Sequence, residues 1–244
     1  MEILTNHPTY TLPIPPPFSA QSEAPERSWT GEYLPAILAL PPGAYLHLQD
    51  VSWEDYQRLL DGLDERPRFK MTYNFGELHI MTKTFRHESF ANLFGYLILV
   101  LAEERDFEFI SGGTTTFSSE DTVTGAEGDD CFYFDHLAEV GEKDRLDLTV
   151  DPPPNILVEV DVTNPSLNKF PTYATLRVPE IWHFDGTTVK FHHLGEGGYL
   201  EVAYSLRFPF LPAAVLPQFL LIGKKEGIMK MMKAFRAWVK ANNQ

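Results

Sequence analysis

Two carboxylates stand where a buried strand should carry none. The run Ile156-Leu-Val-Glu-Val-Asp-Val162 is apolar and β-branched, the pattern of a strand covered on both faces, yet it holds Glu159 and Asp161. Alternation along a strand points the two the same way, about 7 Å apart. Their repulsion and desolvation must then be offset by protonation, a cation or a metal. Lys169 follows in the first turn of the next expected helix, and a third acid, Asp129, opens another short apolar strand, Asp129–Phe134. If that strand neighbours the first, Asp129 and Glu159 converge and bind a hard divalent cation through oxygen, Mg²⁺ or Mn²⁺. A metal-activated water, charge neutralisation at phosphorus and a lysine to hold the water or the phosphate together suit phosphodiester hydrolysis.

Each residue also has a structural reading. Asp129 could begin a strand as a turn residue, Glu159 could sit in a structural ion pair, and Asp161 could cap a strand end. Lys169 could be solvated, and Glu77 could be a surface strand residue. His87 falls on the inward stripe at a helix start, either as a hydrogen-bonded core histidine or as a group near the active centre. Two carboxylates alone also fit a glycosidase, against which stands the lysine. There is no Cys or His pair at zinc-ligand spacing, no Gly-x-Ser-x-Gly elbow and no P-loop. The single Cys131 lies beside acids that would raise its pKa.

The elements that must position these groups follow from periodicity. Asp151-Pro-Pro-Pro-Asn155 leads into the central strand, Ser166 can cap a helix containing Phe170, Tyr173, Ala174 and Arg177, and Pro179 closes it before the strand Ile181–Phe184. Strand, helix, strand is a crossover unit, which places ligands at the carboxyl ends of its strands. Upstream, Ser52 to Leu63 reads as a capped helix. Phe69 to Met81 reads as a strand pair turning at Asn74-Phe75-Gly76 after a turn at Pro67, and Glu77, His79 and Met81 share a face. Arg86 to Glu104 reads as a long helix, Phe107 to Phe117 as a strand after a bend at Gly112-Gly113, Ser118 to Gly128 as a polar loop and Glu139 to Leu148 as a solvated stretch. Val189–Leu194 and Tyr199–Tyr204 form an antiparallel pair around Gly195-Glu-Gly-Gly198.

The 244 residues, 43% of them apolar, are enough for one substantial domain. Its expected limits are 51–222, after a proline-rich arm over 1–50 and before a basic amphipathic helix over 223–244. No apolar run reaches membrane-spanning length and no leader pattern opens the chain, so a cytoplasmic protein with no membrane partner is expected. A net charge of −14 argues against non-specific adhesion to nucleic acid. Lys224 to Gln244 nonetheless carries six basic residues and one acid, which makes the tail a candidate polyanion contact.

The sequence resembles the Uma2 family, also called domain of unknown function 820. The matching stretches are Gly76-Glu-Leu-His-Ile-Met81 with Arg86-His-Glu88, Gly125–Phe134, Asp151–Asn155, Leu157–Val162, Ser166–Lys169, and Tyr173 with Val178–Trp182. The resemblance implies a restriction endonuclease-like PD-(D/E)XK fold, α/β with a mixed sheet flanked by helices, here with an added antiparallel hairpin and a C-terminal helix. It also implies a divalent metal and endonuclease activity on DNA, with Asp129 and Glu159 as metal ligands. Gly128 replaces the family's usual proline, Asn155 stands where relatives often carry Asp, and Asp161 occupies the usual lysine position, so Lys169 would have to substitute. Asp161, Glu77 and His87 complete the candidate set. The expectation is an Mg²⁺-dependent endonuclease, commonly a homodimer; the alternative is a degenerate relative that binds nucleic acid or protein without cutting.

Overall fold

A computed structural model describes residues 29–63, 68–162 and 169–242. The proline-rich stretch before Thr30 falls outside them save for Trp29, and the turn at Pro67 and the Ser166 cap lie outside the described residues altogether. The chain divides between Thr84 and Phe85 into two compact units.

The first unit contains α1 (Trp29–Leu38), β1 (Tyr45–Leu48), α2 (Trp53–Leu63), β2 (Phe69–Asn74) and β3 (Glu77–Thr82). The arm expected over residues 1–50 thus includes a helix and a strand. Helix α2 begins as its capping pattern requires: Ser52 Oγ accepts from the Asp55 amide at 3.1 Å and donates to Asp55 Oδ2 at 2.8 Å. The strands run antiparallel in the order β1-β3-β2, with His47 opposite His79 and Asn74 opposite Glu77. Phe75 and Gly76 join β2 to β3 with φ of 46° and 89°, the double left-handed step that a tight hairpin needs. Tyr56 and Tyr73 stack at 4.6 Å inside this unit, where the Tyr73 hydroxyl donates to the Val51 carbonyl at 2.9 Å.

The second unit starts with α3 (Phe85–Arg105), β4 (Ile110–Ser111), β5 (Thr116–Ser119), β6 (Thr124–Glu127) and β7 (Asp130–Tyr133). It continues through α4 (Leu137–Val140), β8 (Leu146–Asp147), β9 (Ile156–Val160), α5 (Phe170–Thr175), β10 (Glu180–Phe184), β11 (Val189–Gly195) and β12 (Gly198–Val202). A 3-10 turn at Ala213–Val215, α6 (Leu216–Glu226) and α7 (Ile228–Asn242) close it. A mixed sheet runs β12-β11-β10-β9-β7-β4; β9 and β10 are parallel, as a crossover demands, and the other pairings are antiparallel.

Strand β9 is buried along its whole length. Ile156, Val158 and Val160 pack with Leu97, Ile98 and Leu101 of α3, while Leu157 packs on the other side with Tyr173, Leu176 and Ile181. Alternation therefore sends Glu159 toward the α5 side. The tail helix lies on its own unit: Met231, Phe235 and Val239 are fully buried in the α3 core, and Arg236 pairs with Glu103 and Glu104. Lys224 donates to Ser89 and Lys230 pairs with Glu226, so part of the tail's charge is already engaged. No helix among the described residues is long and apolar enough to cross a membrane.

Between Phe107 and Phe117 the expected Gly112-Gly113 bend separates β4 from β5: at Gly112 a Cβ would lie 2.6 Å from Cys131 Sγ, and Gly113 takes φ 56°. The expected polar loop at 118–128 is the β5–β6 hairpin, whose second strand, Thr124–Glu127, is buried throughout. The stretch Glu139–Leu148 is mostly exposed, as a solvated run should be, while it also completes α4 and supplies β8, which pairs parallel to β5. The boundary placed at 222/223 falls within α6.

Candidate active site

Asp129 immediately precedes β7. Its amide donates to the Val158 carbonyl at 2.8 Å and its Oδ2 accepts from the Val160 amide at 2.7 Å, which pins the carboxylate at the carboxyl end of β9. His87, buried in the first turn of α3, brings Nε2 to 3.2 Å from the same Oδ2. His87 is thus an inward, buried histidine whose ring lies against the Asp129 carboxylate.

Glu159 accepts from Lys169 Nζ at 3.0 Å on Oε2 and from the Tyr173 hydroxyl on Oε1. The Glu127 carbonyl, 2.9 Å from that hydroxyl, is its alternative acceptor. Lys169 occupies the residue before α5, and only 8% of its side chain is exposed, against 3% for Glu159. A lysine so placed is a buried ion-pair partner and not a solvated side chain.

Burial is the first cause of the Tyr173 hydroxyl being held well above its ordinary pKa, followed by the charges of Glu159, Asp129 and Asp161. One phenol thus lies within the field of all three acids that the sequence singled out. Asp161 follows β9 and bonds His183 Nε2 at 2.9 Å, and His183 stands opposite Glu159 in the β9–β10 register. Burial disfavours the His183 cation, but the bond to Asp161 and the charges of Asp161, Glu159 and Asp185 outweigh it and raise the ring's pKa. The second unit thus holds three pairs joined through the end of β9: His87 with Asp129, Lys169 with Glu159 and His183 with Asp161. Glu77 belongs to the first unit, where it bonds His47 and Gln49.

The departures from the expected motif have local causes. At Gly128 a Cβ would lie 2.8 Å from Leu157 Cγ, so the backbone passes too close to β9 for a larger residue. Asn155 serves as a loop clamp: its Oδ1 accepts from the Phe134 and Asp135 amides at 2.7 and 3.0 Å, while its Nδ2 donates to Asp135 at 2.8 Å. An aspartate could not make that last donation. Cys131 is no nucleophile, since burial, aided by Asp130, pushes its thiol up to about 12. Asp130 turns toward α3 and Ser111, and burial raises its carboxyl to about 6.

Sequence reasoning passed over two members. Tyr173 was read as helix interior, although its place four residues after Lys169 puts both on one helical face, a usable signal. His183 carried no such signal, because only the strand register aligns it with Glu159. Glu180 shows what a purely structural buried acid looks like here: it takes bonds from Trp182 Nε1 and from the Leu206 and Arg207 amides at 2.8 to 3.1 Å.

The fold and the site together define an α/β protein with a buried carboxylate–lysine cluster at the carboxyl end of a crossover strand. The chain belongs to the Uma2 family, whose model, described as "Putative restriction endonuclease", matches residues 53–221. Among solved structures it is similar to that of a "putative nuclease belonging to DUF820" from Anabaena variabilis ATCC 29413, at 9% identity and a TM-score of 0.45. That match covers 75% of this chain and 99% of the other. No curated protein matches.

Proposed function

We propose that the protein is a divalent-metal-dependent endonuclease that hydrolyses phosphodiester bonds in DNA. The observation that carries this reading is the pair of carboxylates at the carboxyl end of β9: Asp129 accepts from the Val160 amide, and Glu159, the residue before Val160, is bonded by Lys169. Oxygen donors in a strongly negative, buried setting fit a hard cation, and Asp129 and Glu159 would hold Mg²⁺ or Mn²⁺. When bound, the ion would supply Lewis-acid stabilisation of the charge that grows on the attacked phosphate.

The chain's own groups divide the remaining work. The Val160 amide and His87 fix the Asp129 carboxylate, and Tyr173 orients Glu159. Lys169 provides the positive charge that positions the attacking water or the scissile phosphate, in place of the lysine the motif usually carries two residues after the glutamate. Asp161 holds His183 in a form that protonates readily, which adds a cationic group for a backbone phosphate. A duplex has two strands, so the reading includes a homodimer, acting in the cytoplasm.

A second reading keeps the fold without the reaction. It is favoured by the burial of Asp129, Glu159, Lys169 and His87, whose mutual contacts hold the cluster without an ion. Incubation of supercoiled plasmid with Mg²⁺ or Mn²⁺ separates the two. Wild type should nick it and Asp129→Ala should not; equal cleavage by both, or none by either, rejects the nuclease assignment.

A further inference from the structure

A second cluster of ligating side chains lies in the first unit. His47 on β1 and His79 on β3 are a directly opposed cross-strand pair, with rings stacked at 4.3 Å and 8° from parallel. Opposed residues of an antiparallel ladder share a face with their Cβ atoms about 5 Å apart, close enough for both imidazoles to reach one ion. Glu77, two residues before His79 and on its face, bonds His47. One ligand atom from each of the three lies within 4.8 Å of the other two, and among the described residues no other His, Cys, Asp or Glu group meets that spacing.

A further contact points to a ligand. Tyr45, next along the same face of β1, brings its hydroxyl to 2.5 Å from His79 Nδ1. Metal-binding histidines characteristically have the second ring nitrogen held in this way, which fixes the ring and leaves the other nitrogen for the ion. The cluster is also reachable from solvent: the His47 side chain is 36% exposed and that of Glu77 44%.

We propose that His47, Glu77 and His79 form a site for a single late first-row divalent cation, Zn²⁺ being the best match, with Tyr45 positioning His79. Two imidazoles and one carboxylate suit Zn²⁺ better than the oxygen-preferring Mg²⁺, and three protein ligands leave a fourth position for solvent. Bound there, the ion ties β1 to β3. This proposal is independent of the nuclease reading, because it uses none of the residues of the second unit.

The test is titration of the purified full-length protein with Zn²⁺ alone, followed by calorimetry, and with Co²⁺, whose visible absorption reports coordination by nitrogen and oxygen. Wild type should take up one tightly held equivalent and show the Co²⁺ bands. His47→Ala and His79→Ala should each weaken binding at least tenfold and abolish the bands, with circular dichroism unchanged, while Asp129→Asn should bind as wild type. Because His47 is exposed, its replacement is not expected to impair folding, so that variant keeps the result interpretable even if His79→Ala is unstable. Unchanged binding in His47→Ala, no binding by wild type at millimolar Zn²⁺, or loss of binding in Asp129→Asn alone would overturn the proposal.

Discussion

Replacing Lys169 with methionine leaves a carboxylate behind in a dry place. Nζ lies 3.0 Å from Glu159 Oε2, with the side chains 8% and 3% exposed. Removing one partner of such a pair costs about 3–5 kcal/mol, because the other charge stays buried without its counterion. Tyr173 still donates to Glu159, and a hydrogen bond to a charged group is worth about 1.5–3 kcal/mol. The expected loss therefore falls near the lower end, about 3 kcal/mol. Replacing both partners, Lys169→Met with Glu159→Gln, removes the stranded charge and should restore most of that loss, leaving the double variant within about 1 kcal/mol of wild type. The assay is urea unfolding of the two single variants and the double, read as a double-mutant cycle. With a slope of about 3 kcal/mol per molar urea, Lys169→Met should lower the midpoint by about 1 M. A shift under about 0.2 M, or single effects that simply add in the double, would show that the pair carries no buried interaction and that this account of the cluster is wrong.

Other outcomes follow from the same physics. Burial raises the Tyr199 and Tyr133 hydroxyls well above 10, and each donates to a carbonyl that an ionised phenol could not approach. Their folded-state pKa values exceed the unfolded one, so their contribution is fully present below pH 10 and is lost above it, at about 1.4 kcal/mol per pH unit per tyrosine. Unfolding at pH 9 to 12 should show that slope, and Tyr199→Phe should reduce it. Burial pulls His192 down to about 4, so its contribution is present above pH 6.5 and lost as pH falls toward 4; partial solvation limits the loss to about 1–2 kcal/mol. His192→Gln should flatten the acid limb of a melting-temperature profile. Gly128→Ala should destabilise by about 1–3 kcal/mol through its clash with Leu157, and Leu157→Ala should make the same substitution milder; equal cost in both backgrounds would contradict the close-approach explanation.

Much of this arrangement could be read from residue types. Glu159 inside Ile156–Val160 stood out because a strand buried on both faces leaves it no solvent, and the crossover to Glu180–Phe184 followed from a helical stretch closed by Pro179. The turn at Phe75-Gly76 and the capped helix at Ser52 were legible for the same reason: their chemistry is local. What escaped was set by tertiary approach. Thr124-Gly-Ala-Glu127 has small side chains and no apolar alternation, so nothing in it announces a fully buried strand. The opposition of His183 to Glu159 and of His47 to His79 exists only once strand register is fixed. Gly128 and Asn155 looked like lapses from the family pattern, and their reasons became visible only when Leu157 and Asp135 were in place.

Metal uptake by the acid cluster is the most direct test. Calorimetric titration with Mn²⁺ in a His47→Ala, His79→Ala background isolates Asp129 and Glu159 from the histidine cluster, and Asp129→Asn keeps the acceptor for the Val160 amide while removing the charge. Binding in the parent background that disappears with Asp129→Asn and with Glu159→Gln is the expected result. A folded parent that takes up no Mn²⁺ at millimolar concentration, or variants that bind it as well as the parent, would contradict the claim that these two carboxylates hold a catalytic ion.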